Sequence, residues 1–450
     1  VARYVSNPGL QPATVDITRL PAHAASGDIF VAPQEGPVQY GPELLGPYGG
    51  LLWFHPLPKN QTATDFRVQR YRGRRVLTWW QGNVSGAGTG IGVDEIYDSS
   101  YRRVASVRAG NGVSADLHEF LITSRNTALI TAYYPVVWDA RSVKGGSRHQ
   151  IVLDSVVQEI DIPTGLVLSQ WDSLDQVPVS ESYQPVPHTG RNPWDYFHIN
   201  SIQVAPDGTL VVSSRDTWAV YDVNPATGAI NWRLNGKRSS FRMGRGTRFA
   251  FQHDAELKHS GLITIFDDGA GPPAVEKHSH ALTLRLDTRR HTATLVRSFD
   301  HSPRLLAFYE GNVQPLSNGD QFVGWGQQPY FTEFDTHGRI VFDGRFVGGN
   351  SSYRAYRYAW TGRPATPPSI AARATGSTTT VYVSWNGATQ VARWRILSGS
   401  APGALKSATT AGRQAFESAI QISRGSRYAA AQALDGRGRV LGTSRTIRLP

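Results

Sequence analysis

Three times along this chain an aspartate opens a glycine-containing turn that leads into a short apolar strand ending in an aromatic residue: Asp161-Ile-Pro-Thr-Gly165 to Trp171, Asp222 through Gly228 to Trp232, and Asp335-Thr-His-Gly338 to Phe342. A weaker copy begins at Asp287. Self-similarity of this kind marks a repeat architecture, in which each unit buries its apolar face against the next. Between the copies lie short strands with alternating or fully apolar character, at 208–213, 261–266 and 321–325, each at or just after a turn containing glycine. Units of roughly 45 to 65 residues with about four short strands apiece have the size of propeller blades. The expectation is an all-β chain, a β-propeller of about six blades followed by a small β-sandwich.

Composition agrees with short strands and tight turns. Of 450 residues, 40% are hydrophobic and only 18% charged, with 45 Gly and 27 Pro. The one helix-like run, at 22–26, is too short to matter. A Pro-rich stretch, Gly362-Arg-Pro-Ala-Thr-Pro-Pro368, sets a boundary, because proline removes backbone donors and stiffens a connection. The expected division is an extended arm over 1–60 that packs on the body, a propeller over 61–361, a linker over 362–368, and a fibronectin type III-like sandwich over 369–450.

With no cysteine, neither disulfides nor thiolate chemistry are available. No apolar run reaches the length needed to span a bilayer. The chain starts at Val1 without methionine, so a trimmed N-terminus and a secreted protein are expected. A net charge of +11 favours anionic partners through long-range attraction. The arginines are scattered and form no nucleic-acid-binding pattern. An anionic small molecule or an acidic glycan is the expected partner, with no cofactor and no metal, since no His-x-x-x-His spacing occurs.

Three histidines stand at similar places, each at the start of a strand: His118 in Asp116-Leu-His-Glu119, His198 in Trp194-Asp-Tyr-Phe-His198, and His253 in Phe251-Gln-His-Asp254. One such histidine alone is usually a satisfied structural residue. Repetition at equivalent places of successive blades favours a shared polar pocket on the propeller axis. His301 is a further candidate.

At these residues the sequence resembles the bacterial arylsulfotransferase family, in its second, arylsulfotransferase-like branch, over roughly residues 60 to 360. The resemblance rests on Val76-Leu-Thr-Trp-Trp-Gln-Gly82, Asp116-Leu-His-Glu-Phe120, Asp195-Tyr-Phe-His-Ile-Asn-Ser201, Gln252-His-Asp254, Phe266-Asp-Asp-Gly269, Gly311-Asn-Val-Gln314 and Val323-Gly-Trp-Gly326. It implies a six-bladed propeller, export from the cytoplasm, and transfer of a sulfuryl group from a phenolic sulfate to another phenol without a nucleotide donor. A histidine carries the sulfuryl group in that family, helped by further histidines and an arginine. Two supporting histidines map onto His198 and His253. The carrier position falls near Gln327-Gln-Pro-Tyr330, where this chain offers Tyr330, with His280 and His301 as alternative carriers. The arginine position falls at Ala270-Gly-Pro272, where there is none.

Two other function classes fit the same residues. A histidine and a tyrosine, with Asn200, Asn312 or Gln314 neutralising a uronate carboxylate, could carry out β-elimination on an acidic polysaccharide. A non-catalytic glycan binder would need no nucleophile at all. Blander readings stand beside these: Tyr330 as a core aromatic, Arg215 as half of an Arg-Asp surface pair rather than an anion anchor, Asn312 and Gln314 as partners for backbone groups between blades. Trp79 and Trp80 are expected to serve core and surface of one strand.

Overall fold

The structure, a computed structural model, describes residues 2–19, 24–86, 88–187 and 193–450, so the run at 22–26 lies partly outside the described residues. Eight sheets form among the described residues: six are the blades of a propeller and two make a C-terminal sandwich. Blades 2 to 6 begin, from the axis outward, with Thr62–Tyr71, Phe120–Ile122, Ile199–Val204, His253–Leu257 and Asn312–Pro315, and each continues through three further antiparallel strands. The aspartate-glycine repeat maps onto one place in this architecture. Asp161, Asp222, Asp287 and Asp335 all open the turn between the third and fourth strands of blades 3, 4, 5 and 6. Their carboxylates accept local backbone N–H bonds at three of these turns, as at Asp161 (Thr164), Asp287 (Arg289 and Arg290) and Asp335 (His337 and Arg339).

Blade 1 is shared between distant parts of the chain. Its innermost strand is Ser351–Tyr358, and its outer strands are Asp28–Gln34, Glu43–Leu45 and Leu51–Phe54. A second junction joins Val15–Arg19 to the outer strand Ile340–Phe346 of blade 6. The expectation of an extended arm over 1–60 that packs on the body is corrected for its strands: Val15–Arg19, Asp28–Gln34, Glu43–Leu45 and Leu51–Phe54 are hydrogen-bonded inside two blades. Burial explains the placement, since Ile29, Phe30, Val31, Leu44 and Phe54 are all fully enclosed and an arm could not enclose them.

Six hydrophobic clusters sit between successive blades rather than within them. Phe30, Phe66, Leu77 and Trp79 join blades 1 and 2, and Phe266, Ala281, Val313 and Phe334 join blades 5 and 6. A middle strand therefore has both faces buried. That corrects the expectation for Trp79 and Trp80, which are both completely enclosed on opposite faces of Arg74–Val84.

At the axis Arg354 is fully buried and reaches four blades. Its Nη1 donates to Asp65 and Glu119, each at 3.0 Å, its Nη2 donates to the Asn200 carbonyl at 3.0 Å, and its Nε lies 3.8 Å from Asp254. Arg67 bonds Asp65 and Glu119 from the side. The cluster ties blade 1 to the inner strands of blades 2 to 5.

The C-terminal unit has sheets of three strands, Ser369–Thr375, Thr378–Ser384 and Glu417–Ser423, and of five, which include Arg393–Gly399 and Tyr428–Leu434. Its own core contains Val381, Trp385, Trp394 and Ile396. Asn386 bonds both the N–H and the carbonyl of Phe54 at 2.9 Å, and Tyr101 donates to the Gly387 carbonyl at 2.8 Å, which ties this unit to blades 1 and 2. Residues 362–368 hold no strand, and Arg363 donates its N–H to the Ser99 carbonyl at 2.8 Å.

Candidate active site

The axial ends of the inner strands are irregular. Register shifts occur between Thr64 and Arg67, between Ile199 and Ser201, and between His253 and Glu256. At these places Asp65, His198 and Asp254 take φ of 52°, 54° and 53°. A bulge re-aims a side chain, and a non-glycine residue in this region costs about 1–3 kcal/mol that the surrounding fold must offset. His198 stands just before the strand Ile199–Val204, beside its register shift.

A cavity of about 850 Å³ opens there, and His118, His198, His253, Arg215, Tyr309, Glu310 and Tyr353 line it together. Each of the three histidines gives its Nδ1 to an aspartate. His118 meets Asp116, His198 meets Asp195 at 2.6 Å, and His253 meets Asp268 at 2.8 Å. Such a partner fixes the ring's orientation and tautomer, leaving Nε2 for chemistry. The Nε2 of His253 already accepts the N–H of Glu310 at 3.3 Å, whereas among the described residues nothing bonds Nε2 of His118 or His198. The His118 and His198 rings stand edge to face with centroids 4.8 Å apart.

Their electrostatics differ. Burial lowers the pKa of His118, and the Asp116 charge and hydrogen bond offset only part of that. His253 is driven well below its ordinary value, first by burial and then by the charge of Arg215. In His198 burial also opposes the charged form, but Asp195, with Asp216 behind it, more than offsets this and the pKa rises. Glu310 is pushed up to about 8 by burial. The site therefore sets His118, in which burial favours the neutral imidazole, against His198, in which the neighbouring carboxylates favour the charged form.

Arg215 supplies a fixed cation. Its Nη1 bonds Asp216 at 2.8 Å, its Nη2 donates to the Phe308 carbonyl at 3.1 Å, and its guanidinium lies 4.7 Å over the Phe251 ring. It is thus more than a surface Arg-Asp pair. Gly271 touches it so closely that a Cβ there would come within 2.6 Å of Nη2. The loop in which the resemblance expects an arginine thus packs its glycine on an arginine from blade 4.

The other candidate residues lie elsewhere. His301 is enclosed, with Nδ1 on the Pro303 carbonyl at 2.7 Å and Nε2 on Asp343 at 3.1 Å, which leaves no free ring nitrogen. Tyr330 meets that histidine at a tilt of 47°, with ring centroids 4.5 Å apart, and lies under Arg345, in blade 6 and outside the cavity lining. His280 sits between Asp300 and Glu276 in blade 5. Asn312 bonds both the N–H and the carbonyl of Ala355 at 2.9 Å, and Gln314 does the same at Arg357, so both staple blade 6 to blade 1. Asn200 likewise donates to the Gln252 carbonyl at 2.6 Å. None of these six reaches the cavity lining.

Sequence reasoning passed over the aspartates. Asp116 and Asp195 stand two and three residues before their histidines, a spacing visible in the chain, while Asp268 comes from the neighbouring strand's end and has no local signal.

A search of curated proteins finds no match. Among solved structures, the chain is similar to a protein of unknown function from Bacteroides caccae, at 13% identity over 73% of this chain and 98% of that one, with a TM-score of 0.45. It is also similar to virginiamycin B lyase from Staphylococcus aureus, at 8% identity over 82% of this chain and 96% of that one, with a TM-score of 0.36. The sequence pattern of the Arylsulfotransferase (ASST) family matches residues 67–347, which contain all three cavity histidines and Arg215. That match spans well over half of the sequence, and the chain belongs to the arylsulfotransferase family.

Proposed function

We propose that the protein transfers a sulfuryl group between phenolic compounds and that His118 is the carrier. The observation behind this reading is the pairing of His118, whose pKa is lowered and whose Nε2 has no partner among the described residues, with His198, whose pKa is raised. In the first step Nε2 of His118 attacks the sulfur of an aryl sulfate, the N–S bond forms, and the aryl O–S bond breaks as His198 gives its proton to the departing phenol oxygen. In the second step a phenol attacks the same sulfur, His198 takes the phenol proton back, and the N–S bond breaks. Arg215 faces the negative sulfuryl oxygens and takes the part expected of the family's arginine. His253, held neutral, positions the wall formed by Glu310.

Elimination from a uronate fares less well. Tyr330 lies against Arg345, and the tyrosines beside the histidines, Tyr133 and Tyr353, donate their hydroxyls to backbone carbonyls with pKa values raised above the ordinary range by burial. Export from the cytoplasm and a fibronectin type III-like role for the C-terminal unit belong to the same reading.

The test offers 4-nitrophenyl sulfate with phenol, follows nitrophenol release, and analyses rapidly quenched protein by peptide mass. A sulfuryl group on the peptide carrying His118 supports the reading. The group on His198 or His253, or no release by the wild-type protein, overturns it.

A further inference from the structure

Outside the cavity, blade 5 gathers a second set of histidines and carboxylates. His278 and His280 end the loop between Leu262–Asp267 and His280–Asp287, and Asp300 follows the outer strand Thr292–Phe299. Nε2 of His278 lies 3.4 Å from Asp300 Oδ2, and Nδ1 of His280 lies 2.7 Å from Asp300 Oδ1. One donor atom from each of the three falls within 4.8 Å of the others.

These are the distances of a site able to close on an ion. Zinc bound at about 2.0–2.1 Å in tetrahedral geometry holds its ligand atoms about 3.3 Å apart. The His278–Asp300 pair is at that spacing through Oδ2, and the His280–Asp300 pair, through Oδ1, has to open by about half an ångström, so Asp300 must turn for one of its oxygens to serve the same ion as both imidazoles. The outer nitrogen of His280 is also spoken for: Nε2 faces Glu276 Oε2 at 3.2 Å. A carboxylate behind a ligating imidazole puts the proton on the far nitrogen and leaves the near one free to bind metal. Side-chain exposures of 17%, 19% and 32% for His278, His280 and Asp300 leave the cluster open to solvent on one side.

We propose that His278 Nε2, His280 Nδ1 and Asp300 bind one divalent transition-metal ion, zinc by preference for two imidazoles and a carboxylate, with Glu276 orienting His280 and water completing the coordination. The ion's role is structural. Between the two histidines, Ser279 donates its hydroxyl to the Asp268 carbonyl at 2.7 Å and accepts the Ala307 N–H at 2.8 Å. Asp268 in turn holds His253, so fixing the two histidines fixes the end of the loop that carries part of the cavity wall. This site is independent of the sulfuryl-transfer reading.

The experiment titrates the full chain, stripped with a chelator, with Zn²⁺ by calorimetry, and with Co²⁺ while recording visible absorption. The expected result is one site of micromolar affinity or tighter and a Co²⁺ spectrum of tetrahedral type. Asp300→Asn and His278→Gln should each weaken Zn²⁺ binding at least tenfold, and Glu276→Gln by less, while thermal unfolding of chelator-treated protein shows whether each variant folds. His198→Gln should leave the affinity unchanged, because Asp195, His198 and Asp216 form the other such group among the described residues. Absence of saturable binding by the wild-type chain, an octahedral Co²⁺ spectrum, unchanged affinity in folded Asp300→Asn, or loss of binding in His198→Gln overturns the proposal.

Discussion

The rings of His118 and His198 meet edge to face at 86°, with centroids 4.8 Å apart, and each is held from behind by an aspartate of its own strand approach. The two are chemically similar and electrostatically opposed. Asp195 has Asp216 beside it and raises its histidine, whereas Asp116 only partly offsets the burial of His118. In the proposed reaction the same type of side chain serves as nucleophile on one side of the cavity and as acid on the other.

Removing either histidine should have a distinct signature. His118→Gln is expected to abolish turnover and labelling together. His198→Gln should lower kcat about 10²–10⁴-fold for donors with poor leaving groups and much less for nitrophenyl sulfate, whose phenolate leaves without a proton. A leaving-group series measured on both variants checks this. Tyr330→Phe, outside the cavity, should retain wild-type kcat and KM.

The pH dependence of kcat/KM should be bell-shaped around the ordinary histidine value of 6.5. Activity rises through the lowered pKa of His118 as that imidazole loses its proton, and falls through the raised pKa of His198 as the acid is lost. Rate profiles between pH 4 and 10 test the assignment, and His198→Gln should lose the alkaline limb alone.

Arg354 is the sole cation that bonds Asp65, Glu119 and the Asn200 carbonyl from the axis among the described residues. Arg354→Met leaves buried carboxylates short of a partner and should cost about 3–5 kcal/mol of unfolding free energy. Urea denaturation measures it, and a loss under 1 kcal/mol would mean that Arg67 suffices.

Glu43 is fully buried, accepts the Ala13 N–H through Oε1 at 2.7 Å, and leaves Oε2 without a hydrogen-bond partner among the described residues. Burial raises its pKa from 4.5 to about 8. The folded protein therefore holds a proton that the unfolded chain releases, and this group's contribution to stability declines as pH rises from about 4.5 to about 8. Glu43→Gln should be nearly neutral at pH 4.5 and stabilising at pH 8, on the order of a few kcal/mol, read from thermal melts at both pH values.

Much of the fold was written locally. Gly208, Gly261 and Gly319, at φ of 89°, 73° and 90°, sit in turns between first and second strands, and their place between apolar strands is legible without any structure. The three cavity histidines were legible for the same reason, since each lies at the entry to the inner strand of its blade. The pairing of Asp28–Gln34 with Ser351–Tyr358 was not, because nothing in either segment specifies a partner more than 300 residues away. Tyr330 shows a related difficulty. Its position along the chain gave no sign that Asp343, Arg345 and His301 would enclose its surroundings. Arg215 reaches the cavity through contacts with Phe308 and Gly271, both distant in sequence.

The shared blade also has a meaning for how the protein is made. On a ribosome the strand Asp28–Gln34 emerges early, yet its inner neighbour Ser351–Tyr358 comes some 300 residues later, a wait on the order of tens of seconds at ordinary synthesis rates. Throughout that interval a nascent chain carries an unpaired, mostly apolar strand, the kind of surface that recruits other chains. The ring is a lock turned by the last strand to arrive, and until then protection must come from outside the molecule.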